Sequence, residues 1–415
     1  MRLLFWQRIQ SVMNYYGGIE RDAKLLIIVN SLVSLPFSFL LVIQPIYLDK
    51  AGIDATMIGA LYTAFGLASS TLVVPFGILS DRYGRKLFLM LGIILQFIFY
   101  TVYFLTIYYP LLLISGIIGG IGNAMFYPSS SALLAEKSSE EKRTLAFSVF
   151  FFTSTFAYTF GALLSSLPNY FRVWFNLSEL FSYRPMFAIA AIFLVFSSIP
   201  IALIKEVRFY KDKRMLLPRR SLNIIAKISL FDALIGLGAG FIIPLFSLWF
   251  YLRFGLDEVI LGPLFSIANG VMALSYLTAP KLSDSLGMIN SIVLTISIAT
   301  GLMFTIPFMS DYGIVAVLFV FRNFLMNVSN PISISFMMNN VAPEERGSAT
   351  GITGVAWNLP YSITSTFGGY IMANISLHLP FLICGSLYAI STTLFYVFFR
   401  RFKPKGEILG RLSSI

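Results

Sequence analysis

Apolar runs, each about the length of a helix that crosses a bilayer, follow one another along the chain and are parted by short polar breaks. A hydrocarbon core needs about 20 apolar residues in helical form. Such runs fall at 25–48, 56–80, 87–107, 110–135, 144–167 and 185–204, and again at 222–252, 258–282, 288–308, 312–339, 347–373 and 378–399. The pattern predicts an all-α membrane protein with twelve transmembrane helices. One long polar stretch interrupts it, Lys205 to Arg220 (KEVRFYKDKRMLLPRR). The expected organisation is an N-terminal segment over 1–24, a six-helix bundle over 25–204, a linker over 205–221, a second six-helix bundle over 222–400 and a tail over 401–415. The segment 1–24 carries Arg2, Arg8, Arg21 and Lys24 and no compact apolar run before a cleavage site, so it does not read as a signal peptide. Phe5, Trp6, Tyr15 and Tyr16 suit either a stretch lying on the membrane surface or a free tail.

The two halves repeat. At an offset of 203 residues Gly52 falls on Gly255, Asp54 on Asp257, Gly59 on Gly262, Asp81 on Asp284 and Gly84 on Gly287. Pro128 falls on Pro331, Glu141 on Glu344, Arg143 on Arg346 and Ala146 on Ala349, all without a gap. These residues punctuate helix ends and kinks, which predicts two pseudo-symmetric bundles about an axis along the membrane normal.

Charge sets the orientation. Only 12% of residues are charged, against about a quarter in soluble domains, so lipid must cover much of the surface. With the N-terminus inside, 25 of the 30 Lys and Arg lie in inner segments and 4 (Lys50, Arg172, Arg184, Arg253) in outer loops. The positive-inside rule then predicts a multi-pass protein of the cell membrane with both termini cytoplasmic. The same bias accounts for the net charge of +11 without nucleic acid as a partner.

Chemistry-bearing residues are sparse. A single Cys384 and a single His378 leave no His/Cys metal site, no phosphate-cradling loop is present, and no cofactor is expected. No acid pair, or serine with a base, sits inside a span, so an enzyme is not expected. Within the spans, Asn323, Asn327 and Asn330 fall on one helical face, with either a solute-facing stripe or a hydrogen-bond ladder as the reading. Asn30, Ser34 and Gln44 repeat that pattern weakly in span 1. Asn123 and Tyr127 offer polar groups in span 4, and Trp357 and Asn358 in span 11. Asp232 and Arg322 each lie about ten residues into a span, roughly 15 Å deep. Charges at that depth cost a few kcal/mol and point to an ion pair or a substrate-charge site. Asp232 is the one acid deep in a span and so the candidate for proton coupling.

The residues Gly77-Ile-Leu-Ser-Asp81-Arg82-Tyr-Gly84-Arg85-Lys86 resemble the loop signature of the major facilitator superfamily, G-x-L-x-D-R-x-G-R-[KR], with a worn copy at Lys281-Leu-Ser-Asp284-Ser-Leu-Gly287. With the twelve spans and the repeat, the chain resembles the general drug-efflux-like branch of that superfamily. The resemblance implies alternating access between two bundles, a central cavity lined by spans 1, 4, 7 and 10, and a latch formed by the loop between spans 2 and 3. Glu136, Arg143 and Arg346 at the inner ends join that gating set. It also implies a small-molecule substrate, the lipid bilayer as surroundings and protons or another ion as coupling partner, with a single chain sufficing. Drug–proton antiporters of the superfamily usually carry an Arg in span 4 and a Gly-Pro pair in span 5. Here span 4 reads Ser115-Gly116-Ile-Ile-Gly119-Gly120-Ile-Gly122-Asn123, and span 5 has Gly161 without such a pair. Efflux of small or amphipathic compounds is the leading expectation. Uptake or facilitated passage of a polar or anionic metabolite, such as a sugar or organic acid, is the alternative, and a non-transporting sensor with a transporter fold is a third.

The orientation is open to direct measurement. In cysteine-accessibility labelling, positions 176 and 374 are expected to react from outside and position 213 from inside, and the opposite pattern would overturn the topology.

Overall fold

A hydrocarbon solvent offers backbone amides no partners, so each run of this chain closes its own hydrogen bonds as a helix. The computed structural model describes residues 19–139, 142–205, 220–342 and 345–401. The linker expected over 205–221, the N-terminal segment and the C-terminal tail fall largely outside the described residues, as do Glu141 and Glu344.

Span 1 is Arg21–Lys50, span 2 Ala55–Tyr83, span 3 Arg85–Leu105, span 4 Tyr109–Glu136, span 5 Arg143–Leu164 and span 6 Arg184–Leu203. A short helix, Leu167–Trp174, follows span 5. Span 7 runs as Leu222–Gly240 and, after a 3₁₀ turn at Ile243–Leu245, as Phe246–Phe254. Span 8 is Glu258–Leu286, span 9 Met288–Thr305, span 10 Tyr312–Asn340, span 11 Arg346–Asn374 and span 12 Leu379–Phe399. Among the described residues, 11 helices are long and apolar enough to cross a membrane. The twelfth, span 11, has the length, at 29 residues, and is richer in Gly, Ser, Thr and Asn. Span 11 packs against both span 2 and span 7.

The packing repeats as the sequence does. In the first half span 4 packs on spans 2 and 3, span 1 on spans 5 and 6, and span 3 on span 6. In the second half span 10 packs on spans 8 and 9, span 7 on spans 11 and 12, and span 9 on span 12. Across the halves span 2 meets span 11 and span 8 meets span 5. Every one of these pairs is matched under a shift of six spans.

The repeated residues mark what this geometry demands. Gly52 and Gly255 both have positive φ, at 82° and 66°, and so do Gly84 and Gly287, at 116° and 78°. L-residues rarely adopt that region, and glycine enters it freely. The helix starts repeat as well. The Ser139 amide donates to the Glu20 carboxylate at 3.0 Å, and the Ala342 amide, 203 residues on, donates to the Ser221 hydroxyl at 3.0 Å. Glu20 and Ser221 are the N-caps of spans 1 and 7. Each loop after span 4 or span 10 is thereby tied to the first helix of its bundle. Glu345 reinforces the second tie, accepting the Arg220 and Ser221 amides at 2.9 Å each. Hydrogen bonds from Ser139 and from its own backbone outweigh burial at Glu20 and hold its carboxyl below the usual range.

Glycines also set how closely helices approach. A Cβ on Gly92 would lie 2.8 Å from the Gly122 carbonyl oxygen, and one on Gly122 would lie 2.7 Å from the Gly92 oxygen. Spans 3 and 4 therefore meet backbone to backbone, as small residues permit in membranes. Gly92→Val is expected to destabilise the protein by about 1–3 kcal/mol through overpacking, read as a lower melting temperature in detergent. Gly301→Ala, at a position with open space, is the control and should melt as the parent does.

Candidate functional site

The hydrogen bonds that join the two halves cluster at one end of the spans, opposite the basic loops, the end that the positive-inside rule expects outside. Span 2 and span 11 close there over small residues. A Cβ on Gly59 would strike the Ser365 carbonyl, and one on Gly369 would strike that of Ala55. The Thr63 hydroxyl donates to the Ser362 carbonyl at 2.7 Å. The other cross-half interface repeats the arrangement, with Gly262 against Ser165 and the Ser266 hydroxyl donating to the Thr159 carbonyl at 2.8 Å. Thr63 and Ser266, like Thr159 and Ser362, are 203 residues apart. One pseudo-symmetric pair of hydroxyl–carbonyl bonds thus seals the outer end. At the inner end Gly347, Gly351 and Gly354 of span 11 face open space. The two halves thus meet at the end opposite the basic loops, and span 11 leaves open space at the other.

The loop between spans 2 and 3 works as a clamp within the first half. Arg85 pairs with Asp81 at 2.7 Å and with Glu136 at 2.9 Å, and donates to the Ala132 carbonyl at 2.8 Å. Lys86 donates to the Ala202 and Ile204 carbonyls at 2.7 and 2.8 Å, and Arg143 to that of Ala135 at 3.1 Å. These cations satisfy free carbonyls at the inner ends of spans 4 and 6, where the helix dipole also favours positive charge. Arg82 lies over the Tyr83 ring at 5.5 Å. Gly77 faces Pro128 of span 4. In the second half Asp284 is exposed, as is Arg346, and among the described residues Asp284 forms no ion pair.

Several expected cavity residues sit in helix contacts instead. Asn30 is buried and donates to the Ser154 hydroxyl of span 5. Ser34 and Gln44 are buried as well. A polar group inside a bundle is satisfied by whichever helix packs on it, and periodicity does not name that helix. Asn123 accepts from Ser69 of span 2 at 2.9 Å. An ion pair between Asp232 and Arg322 is not formed. Arg322 is 4% exposed and donates to the Tyr388 hydroxyl of span 12 at 3.1 Å, with Tyr388 also beneath its guanidinium.

A second group keeps exposed surface. Asn323, Asn327 and Asn330 form a ladder along span 10 itself. Asn330 donates to Asn327 at 3.2 Å, and Asn327 to the Asn323 carbonyl at 2.8 Å. Asn330 is exposed, so the stripe keeps an accessible face. Tyr127 is 44% exposed. Asp232 is partly exposed and shares a helical face with Gly236 and Gly240, at steps of four. That face lies on span 11, since a Cβ on Gly236 would strike the Trp357 carbonyl and one on Gly240 that of Tyr361. Spans 7 and 11 run parallel, so Asp232 comes level with Gly354, where span 11 leaves open space. Trp357 stacks on Tyr361 with centroids 4.8 Å apart, and the exposed Asn358 donates to the Gly354 carbonyl at 2.8 Å. Asp232 of span 7 and the Trp357–Tyr361 stack and Asn358 of span 11 thus lie within about two turns of one another along two packed helices.

Reasoning from sequence missed the outer end, where Glu258, Tyr183, Lys50 and Tyr251 meet. A charged residue at the start of a span reads as a surface group. The repeat held the missing signal, because Glu258 falls on Ala55.

The sequence model of the Major Facilitator Superfamily matches residues 26–365 and 314–412, and the chain belongs to that superfamily. Multidrug resistance protein 2 of Bacillus subtilis (strain 168) is 24% identical over 357 residues, covering 83% of this chain and 86% of that protein. Quinolone resistance protein NorA of Staphylococcus aureus (strain MRSA252) is 29% identical over 117 residues, 28% of this chain and 30% of that protein. Among solved structures, the nucleoside transporter NupG superposes with a TM-score of 0.76 at 16% identity, over 91% of this chain and all of that one. A bacterial homologue of the human lysosomal transporter Spinster, in an inward-facing and unoccupied conformation, gives 0.73 at 13% identity, over 92% and 96%.

Among the described residues Asp81 pairs with Arg85, and no contact of the inner ends of spans 2 and 11 engages it. Asp81→Asn is expected to fold normally and to lose inner-closed population. In a Cys384→Ser background, a Gly351→Cys reporter should then label several-fold faster and transport should slow. Unchanged labelling and transport would remove Asp81 from gating.

Proposed function

We propose that this superfamily member exports small amphipathic compounds by alternating access, with proton coupling through Asp232. The observation that carries the reading is the open site beside span 11. A lone carboxylate without an ion-pair partner among the described residues lies level with Gly354, next to the Trp357–Tyr361 stack. Aromatic faces accept flat apolar groups, and a carboxylate at that depth either holds a proton or a cationic group, so the two can compete for it. Displacement of one by the other is the minimal exchange cycle. Similarity to a multidrug resistance protein supports the direction. Both termini on the cytoplasmic side and action as a single chain belong to the same proposal.

Switching in this scheme trades one seal for another. The outer hydroxyl–carbonyl bonds at Thr63 and Ser266 must break as the inner ends of spans 2 and 11 come together. Each is a neutral hydrogen bond of about 1 kcal/mol net, weak enough for solute and proton binding to tip the balance.

The Asn323–Asn327–Asn330 face favours a second reading, passage of a polar metabolite. In proteoliposomes, a panel of amphipathic dyes and of sugars, nucleosides and organic acids separates the two. The first reading expects dye movement that follows an imposed proton gradient and loses that dependence in Asp232→Asn. Movement of polar solutes alone would replace it with the second, and proton-driven flux surviving in Asp232→Asn would end the coupling role.

A further inference from the structure

The outer end carries a contact that the two-fold plan does not require. Glu258 opens span 8 and is 5% exposed. Its carboxylate accepts the Tyr183 hydroxyl at 2.5 Å, and Tyr183, at the start of span 6, is 1% exposed. Beside them Lys50 of span 1 pairs with Glu179 at 2.5 Å. The Lys50 ammonium also lies 5.3 Å from the Tyr183 ring and 5.4 Å from the Tyr251 ring of span 7. Tyr183, Lys50 and Glu179 belong to the first half, and Glu258 and Tyr251 to the second.

The symmetry supplies the control. Tyr183 and His378 are the N-caps of spans 6 and 12, and Glu258 and Ala55 are the first residues of spans 8 and 2. The two-fold mate of the Tyr183–Glu258 bond would join His378 to Ala55, which has no side-chain acceptor. Residues that the fold needs recur in both halves, as Gly59 and Gly262 do. A buried carboxylate present in one half alone is not of that kind.

We infer that Tyr183 and Glu258, braced by Lys50 between two tyrosine rings, form a one-sided latch that holds the outer gate shut. A hydroxyl donating to a carboxylate is shorter and about twice as strong as a neutral bond. It is also made here away from water, where leaving the carboxylate unpaired is costly. Opening the outer end hydrates both groups and removes the need for the bond. The latch therefore weights the inner-open state beyond what the symmetric pair of hydroxyl–carbonyl bonds provides, and gives the molecule a preferred resting orientation. Alternating access is the premise, and substrate and coupling ion play no part.

Purified protein tests this without any substrate. Cys384 is the only cysteine, so Cys384→Ser gives a cysteine-free background. Ser247→Cys reports on the outer end, since Ser247 is 2% exposed and donates to the Leu41 carbonyl of span 1 at 3.3 Å. Gly351→Cys reports on the inner end. Tyr183→Phe removes only the hydroxyl, and Glu258→Gln only the charge. Each is expected to speed maleimide labelling at the outer reporter about tenfold and to slow it at the inner one, and the double variant should match the single ones. Unchanged outer labelling in both variants would overturn the latch. Faster labelling at both ends, which marks a loosened fold, would overturn it too, as would single effects that multiply in the double variant.

Discussion

The absence of hydrogen-bond partners in the bilayer governs this molecule. It forces each run into a helix, and it changes what holds helices together, because lipid tails are as apolar as leucine. Contact must come from close approach and from polar groups that find one another. Hence glycines meet carbonyls at Gly92, Gly120 and Gly236, and Thr or Ser hydroxyls reach across helices to backbone oxygens at Thr63, Ser266 and Thr364. Such bonds are individually weak and can be broken and remade, which suits an interface that opens.

Symmetry separates what the fold needs from what it merely carries. The positive-φ glycines and the cross-half bonds of Thr63 and Ser266 come in pairs 203 residues apart, and the helix starts are tied alike in both halves, so they belong to the architecture both bundles share. The Arg85 clamp, Asp232 and Glu258 lack a full counterpart. The worn copy of the loop keeps Asp284 and Gly287 and has Met288 and Ile289 where the first has Arg85 and Lys86. One bundle thus carries the charged inner clamp, and the other carries Asp232 and Glu258.

Much of the architecture was legible because bilayer thickness writes itself into run length, and the two-fold axis into offset. Span 11 was countable from its length although it is the most polar of the spans. The site was less legible. Spacing put Asn323, Asn327 and Asn330 on one face, which is a property of one helix. It had no means to tell that Asn30 faces Ser154 or that Arg322 faces Tyr388, which are properties of two helices. The Arg85–Glu136 contact could be anticipated because both ends lie within a few residues of known turns.

The two deep charges of the second half are held in different ways. Arg322 is enclosed, and it has a hydroxyl donor–acceptor and a ring from Tyr388 in place of an anion. A guanidinium keeps its charge under nearly any condition, so this position suits a permanent tie between spans 10 and 12. Asp232 is a group that can gain and lose a proton, it lies on a face that remains partly open, and it stands level with the glycines where span 11 is bare. Were the two paired, the guanidinium would hold the carboxylate ionised and remove it from any exchange. Their separation is what the proposed exchange at Asp232 requires.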